Sequence, residues 1–200
     1  MSNKKHWETV FETKTPEQVS WTQEVPQTSL NFIRSFNLNK DASIIDIGGG
    51  DSNLVDHLLL EGYKNITVLD ISKNALKRAK KRLGEQAKSI TWIVSDINDF
   101  TPTENYDVWH DRAAFHFLTQ EEQIKRYIGL ANKHITGHLV LGTFSKEGPL
   151  KCSGLEISQY NEEDLTSRFT EFHKIECLTE DHTTPFGTTQ NFTFCSFKKG

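Results

Sequence analysis

From residue 43 onward, short runs of consecutive apolar residues alternate with stretches whose apolar positions recur three or four apart. A parallel sheet with crossover helices produces this pattern, because its strands are buried on both faces and its helices on one. Ser43-Ile-Ile-Asp-Ile47 is the first buried strand, and residues 52 to 61 follow as a helix capped by Asp51 or Ser52. Ile66 to Leu69 is the second strand, followed by a helix from a Ser72 cap to about Leu83. Ile90 to Val94, rich in β-branched and aromatic residues, is the third, and Tyr106 to Trp109 a shorter fourth. Thr119 and Glu122 form a capping box for a helix to about His134, and Gly137 precedes a fifth strand, His138 to Phe144. Asn161 caps another helix. Residues 171 to 180 and 190 to 198 then read as an antiparallel pair joined by the turn-rich stretch Thr183 to Thr189.

Residues 1 to 40 break this rhythm. Their apolar residues, among them Trp7, Phe11, Trp21, Leu30 and Phe36, are interrupted by Pro16 and Pro26, which suggests short helices forming a lid ahead of a domain spanning 41 to 200.

A chain of 200 residues with ordinary apolar and charged fractions is expected to build one packed core. A net charge of −4 argues against a nucleic-acid partner, which demands a cationic excess. The dense cationic run Lys77 to Arg82 lies among Leu76, Ala79 and Leu83 and reads as the solvated face of a helix. No window approaches the ~18 consecutive apolar residues of a membrane span, and the start has no signal-peptide core, so the expectation is a cytoplasmic enzyme without a membrane partner. Cys152, Cys177 and Cys195 are odd in number and widely spaced, and are read as reduced thiols. His173 and His182 lack metal-ligand spacing, so no metal is expected.

The candidate chemistry sits at the ends of the strands. Ile44-Ile-Asp-Ile-Gly48-Gly-Gly50-Asp-Ser52 carries an acid and glycines from a buried strand into a helix. Glycines permit positive φ and close approach of a ligand to bare backbone, and the amides at the helix start are donors for a polar group. Asp70 ends the second strand, where a carboxylate accepts hydrogen bonds from both hydroxyls of a ribose, and Asp96 follows the third. Three consecutive parallel strands that end in acids gather these groups along one sheet edge.

On these residues the chain resembles the class I S-adenosylmethionine-dependent methyltransferases, from about residue 43 to the C-terminal hairpin. The resemblance implies a Rossmann-like, doubly wound, seven-stranded sheet with an antiparallel last strand in a three-layer α/β/α arrangement. It implies S-adenosyl-L-methionine as donor and S-adenosyl-L-homocysteine as product. It also implies that Asp46 and the Gly48-Gly49-Gly50 loop face the methionine part, Asp70 the ribose, and Asp96 with the Ile97 amide the adenine; Ser52 and Ile71 belong to the same set. Ser52 stands where the commonest family pattern has a third glycine. The Gly48-Gly50-Ser52 spacing is similar to that of lysine methyltransferases acting on elongation factors and citrate synthase.

The family's transfer site lies beyond the fourth strand, which continues here as His110-Asp-Arg-Ala-Ala-Phe-His116-Phe. Asp111 and His116 are the candidates for removing a proton or orienting a lone pair on the acceptor. Asp111 has two other readings, as a contact to the donor's ammonium, which also makes it a candidate donor contact, or as a partner of Arg112. The other reading of His116 is a core histidine among Phe115 and Phe117. Trp7, Trp21 and Trp109 are candidates for the aromatic faces around a sulfonium, with ordinary core packing as the alternative; Trp21 stands out because its neighbours are polar.

A small-molecule acceptor with an S, N, O or metalloid nucleophile is the first expectation, since little chain remains outside the core, with loose resemblance to thiopurine and tellurite methyltransferases. A protein-lysine acceptor is the second. A NAD-dependent oxidoreductase or a non-catalytic nucleotide-binding module ranks lower, because the position of the third phosphate-turn glycine holds Asn53.

Overall fold

The computed structural model describes residues 3–200, so Met1 and Ser2, at the head of the expected lid segment, lie outside it. Helix α1 (Asn3–Thr13), a single 3-10 turn at Pro16–Gln18 and helix α2 (Gln27–Ser35) precede the sheet. Then follow β1 (Ser43–Ile47), α3 (Leu54–Leu60), β2 (Asn65–Asp70), α4 (Lys73–Leu83), β3 (Ile90–Val94), β4 (Tyr106–Arg112), α5 (Glu121–His134) and β5 (Ile135–Phe144). A two-stranded hairpin, β6 (Lys151–Cys152) and β7 (Leu155–Glu156), leads to α6 (Glu162–Arg168) and the long pair β8 (Phe172–Thr183) and β9 (Thr189–Lys199).

The seven-stranded sheet has the order β3-β2-β1-β4-β5-β9-β8, with β1 to β5 mutually parallel and β9 antiparallel to both its neighbours. The strand order reverses between β1 and β4, the point at which ligands bind in open α/β sheets, outside the carboxyl ends of the strands. Alternation along the strands divides the core. Ile45, Ile47, Trp109 and Leu139 pack with Tyr127 of α5 and Leu165 of α6. Ile44, Val68 and Val108 face the other way, onto Leu30 of α2, Leu54 of α3 and Leu76 of α4. The three-layer architecture expected from the sequence is the one observed.

Several boundaries moved, each for a local reason. Helix α3 starts after Asn53, because Ser52 Oγ accepts the Leu54 amide and the Asn53 side chain is turned away to donate to the Gln23 carbonyl. Helix α5 is boxed by Gln120 and Gln123 rather than by Thr119 and Glu122. Gly137 lies inside β5, where a Cβ would stand 2.3 Å from the Asp107 carbonyl of β4. The strand thus begins three residues earlier than its apolar run, with a glycine at the point of closest backbone approach.

The cysteines require a correction. Cys177 and Cys195 are 18 residues apart in sequence but directly opposite each other in the β8/β9 ladder, where they form a disulfide. Cys152 is the free thiol, and it is buried. Antiparallel register brought the pair together, and spacing along the chain carries no trace of it. Because the disulfide closes the hairpin loop, Cys177→Ser is expected to lower unfolding stability by about 2–4 kcal/mol, read as a lower urea midpoint. The same loss should appear when the wild-type protein is reduced.

Candidate active site

Strand β1 ends in Asp46 and Ile47, and the chain then turns sharply at Gly48 and Gly50, whose φ angles are +66° and +52°. A Cβ on Gly48 would lie 2.6 Å from the Ala114 Cβ, so the turn after β1 and the turn after β4 pack against each other at bare backbone. Ala113 makes that second turn with φ +67°, a left-handed conformation that an L residue adopts only under constraint. Its amide is held by the Gly142 carbonyl at 2.8 Å.

Above these turns is a cavity of about 420 Å³ at the carboxyl ends of β1 to β4. Trp21, Asp46, Gly48, Gly49, Gly50, Ser52, Asp70, Ile71, Asp96 and Ile97 all line it, so the residues read from the strand ends converge on one space. Asp111 and His116 do not line it. Asp111 points to the opposite face of β4, where its carboxylate accepts the Ala114 and Phe115 amides at 2.9 and 3.0 Å and the Tyr127 hydroxyl at 2.8 Å. Burial pushes its carboxyl up to about 6, against the lowering effect of these hydrogen bonds. It makes no pair with Arg112, whose side chain leaves the strand on the other face. His116 is fully buried; its Nδ1 accepts the Phe144 amide at 3.3 Å, and burial, reinforced by Arg112, pushes its pKa down to about 3, so the ring is neutral.

The electrostatics of the cavity are acidic on the side of β1 and β2. Asp70 Oδ1 accepts the Ser72 amide at 2.7 Å, and Oδ2 is turned toward Gly50, 3.2 Å from where a Cβ would sit. Burial, with Asp51, Asp46 and Glu8 nearby, pushes the Asp70 carboxyl up to about 7. Asp51, also raised by burial, has Arg78 at 3.4 Å. Arg82 grips the same loop through the Asp51 and Ser52 carbonyls, so two cations of the run on α4 serve the loop rather than solvent.

His110, Arg112 and Cys152 are among the lining residues that the strand-end pattern does not point to. His110, paired with Asp46 in the β1/β4 register, lies 2.7 Å from the Asp46 carboxylate through Nδ1 and 2.8 Å from Ser29 Oγ through Nε2. Arg112 donates from Nη1 to the Trp21 carbonyl at 2.9 Å and lies over the Phe192 ring. Cys152 closes the floor, its thiol pushed up to about 12 by burial. Alternation was the available signal for the first two, because His110 and Arg112 share one face of β4 and Trp109 and Asp111 the other.

The N-terminal segment roofs the cavity. Trp7 stands edge-on to Phe117 and Trp21, with Phe11 beside both tryptophans. Glu8 accepts the Lys73 and Asn74 amides and the Ser72 hydroxyl, tying α1 to the start of α4. Trp109 belongs to the core and not to this cluster; its indole N–H donates to the Tyr127 hydroxyl at 2.9 Å. Among the described residues no group of His, Cys, Asp and Glu side chains is arranged to hold a metal, and no helix is long and apolar enough to cross a membrane.

Residues 44–135 match the family model described as a methyltransferase domain. With the fold, this match supports a class I S-adenosylmethionine-dependent methyltransferase. This methyltransferase is 28% identical over 118 residues to EEF1A lysine methyltransferase 2 of Danio rerio, covering 56% of this chain and 51% of that one. It is 32% identical over 104 residues to a malonyl-[acyl-carrier protein] O-methyltransferase of Anoxybacillus flavithermus, covering 51% and 39%. The chain thus spans about half the length of the first of these relatives and 39% of the second. Among solved structures, the N-methyltransferase NodS of Bradyrhizobium japonicum with S-adenosyl-L-homocysteine superposes with TM-score 0.72 at 18% identity over 99% of both chains. The magnesium protoporphyrin IX methyltransferase of Synechocystis with bound SAM gives 0.72 at 15% over 100% and 98%. These likenesses bear on the fold.

The geometry makes Asp111 a structural hub of the methyltransferase core. Tyr127→Phe leaves Asp111 Oδ2 without its hydroxyl donor and Trp109 without its acceptor. It is expected to cost about 1–3 kcal/mol of unfolding free energy, measured by urea titration.

Proposed function

We propose that this chain transfers the methyl group of S-adenosyl-L-methionine to a small-molecule acceptor inside the roofed cavity. The observation that carries this reading is the closure of the space next to the fourth strand by aromatic rings and a buried floor. Trp7, Trp21, Phe117 and Cys152 enclose it on the side away from the acids. A cavity of about 420 Å³ is in the range that takes up small ligands, whereas a lysine on a protein surface needs an open approach.

The residues present fit the donor. Asp70 Oδ2 is an acceptor for the ribose hydroxyls, left bare by a glycine on its near side. Asp96 and the Ile97 amide present an acceptor and a donor to an adenine edge, and the Gly48 to Gly50 backbone, with Asp46, faces the methionine part. Ser52 and Ile71 complete the wall. Asp46, Asp51 and Asp70 together favour a cationic ligand, and the aromatic roof suits a sulfonium. The donor, when bound, supplies an activated methyl group.

What the protein contributes is alignment. The rings of Trp7, Trp21 and Phe117 exclude water, and an acceptor fixed against them is held for in-line displacement, in which positioning supplies much of the rate. Neither Asp111 nor His116 is required as a base in this reading. Asp111 holds the turn after β4 through the Ala114 and Phe115 amides, and His116 holds the end of β5 through the Phe144 amide.

The likeness to protein-lysine methyltransferases keeps a protein acceptor as the second reading. A radiolabelled methyl-donor assay on lysate split into protein and small-molecule fractions separates the two: label confined to protein reverses the order, and donor binding without transfer to any fraction points to a binding module. Calorimetry with adenosylmethionine and NAD tests the ligand itself, and binding of NAD alone would sink the proposal.

The Asp70 assignment has its own test. An Asp70→Ala variant is expected to bind the donor more weakly by the ~1.5–3 kcal/mol of a charge-assisted hydrogen bond. Because the carboxyl titrates at about 7 and its ionised form accepts from the diol, wild-type affinity should rise about tenfold between roughly pH 6 and 8 and then level off. The variant should lose that slope.

A further inference from the structure

The cavity has a cationic end that the donor assignment leaves unused. Arg112 lies there with three nitrogens, of which only Nη1 has a partner, the Trp21 carbonyl. Nε and Nη2 are shut off from solvent and have no hydrogen-bond acceptor among the described residues. Those two nitrogens form one edge of the guanidinium, with two N–H bonds pointing the same way, the arrangement that meets both oxygens of a carboxylate.

The carboxylates of Glu180 and Asp46 favour the charged guanidinium from a distance, but neither accepts a hydrogen bond from Nε or Nη2. The Glu180 carboxylate accepts the Thr28 hydroxyl and makes no ion pair with Arg112 within 4.0 Å, and Asp46 is taken by His110. Cys152 beside it carries a thiol held protonated by burial. His116 and His182 are both pushed toward the neutral form, by burial first and by Arg112 next. Arg112 itself, although lowered to about 10 by burial, stays cationic at neutral pH. A buried guanidinium with two unmade hydrogen bonds is costly to keep. An anion entering the cavity would make both bonds at once.

We infer that Arg112 is the acceptor-recognition residue of this cavity and that the methyl acceptor is a small molecule bearing a carboxylate, which docks on the Nε/Nη2 edge. This inference rests on the small-molecule reading above. It gives the cavity two poles, acids toward the cationic donor and one guanidinium toward the anionic acceptor.

The test uses the full chain saturated with S-adenosyl-L-homocysteine, whose own binding is measured first; failure of that step refutes the methyltransferase reading and not this one. The loaded protein is titrated by ligand-observed NMR with benzoate and phenylacetate and with the neutral amides of both. The acids are expected to bind at least about tenfold more tightly than their amides, roughly one charge-assisted hydrogen bond. In Arg112→Met this preference disappears, and Arg112→Lys regains part of it as a charge without the fork. Equal binding of acids and amides to the wild type overturns the inference, with no variant needed. So does the absence of any acid binding at millimolar concentration.

Discussion

A carboxylate buried at the end of the central strand must be hydrogen-bonded, and Asp46 meets that requirement through His110, which in turn reaches Ser29 of α2. This chain of three buried side chains joins β1, β4 and the first helix of the core at the point where the strand order reverses. Much follows from it by parity. Once His110 faces Asp46, Arg112 two residues on faces the same side, into the cavity. Trp109 and Asp111 are turned into the core beneath α5, where Tyr127 bonds both. The direction of His110 therefore decides which residues of the strand are available to a ligand and which brace the turn that follows.

The roof over the cavity is held differently. Its rings are apolar, but its attachments are polar and reach across the chain. The Trp21 carbonyl is taken by Arg112, the Ser20 carbonyl by His182, the Gln23 carbonyl by Asn53 and the Glu24 carbonyl by His57. Four consecutive-region carbonyls that belong to no helix or strand are thus satisfied by side chains from β4, β8 and the start of α3. Together with the Glu8 clasp on α4, these bonds fix a segment that lacks regular backbone pairing.

That contrast explains what could be read in advance. Strands β1 to β5 were legible because parallel strands covered on both faces must be contiguous apolar runs, and the caps at Ser72 and Asn161 were legible because each needs only a local partner. The acids at the strand ends were legible for a related reason: topology alone carries Asp46, Asp70 and Asp96 to one edge. Asp111 looked equivalent, since it too sits near the end of a parallel strand, but one residue of phase sends it to the other face. Asn53, and not Asp51 or Ser52, precedes the first residue of α3, and its side chain serves the roof. The disulfide and the environment of Arg112 depend on register and on contacts from 21, 152 and 192, which no local pattern encodes.

The site also bears costs of its own. Because the folded-state pKa of Asp70 is raised, the folded chain binds a proton that the unfolded chain has released, and stability declines as pH climbs from the ordinary carboxylate range to about 7. Ala113 holds a left-handed φ, and Arg112 keeps two donors unmet. Burial makes the acid and the guanidinium unfavourable and steric crowding the backbone turn, and all three lie on the walls of one cavity. An acid and a guanidinium left under-satisfied on the walls of one cavity are groups that ligands of opposite charge would complete, which is the arrangement proposed for donor and acceptor.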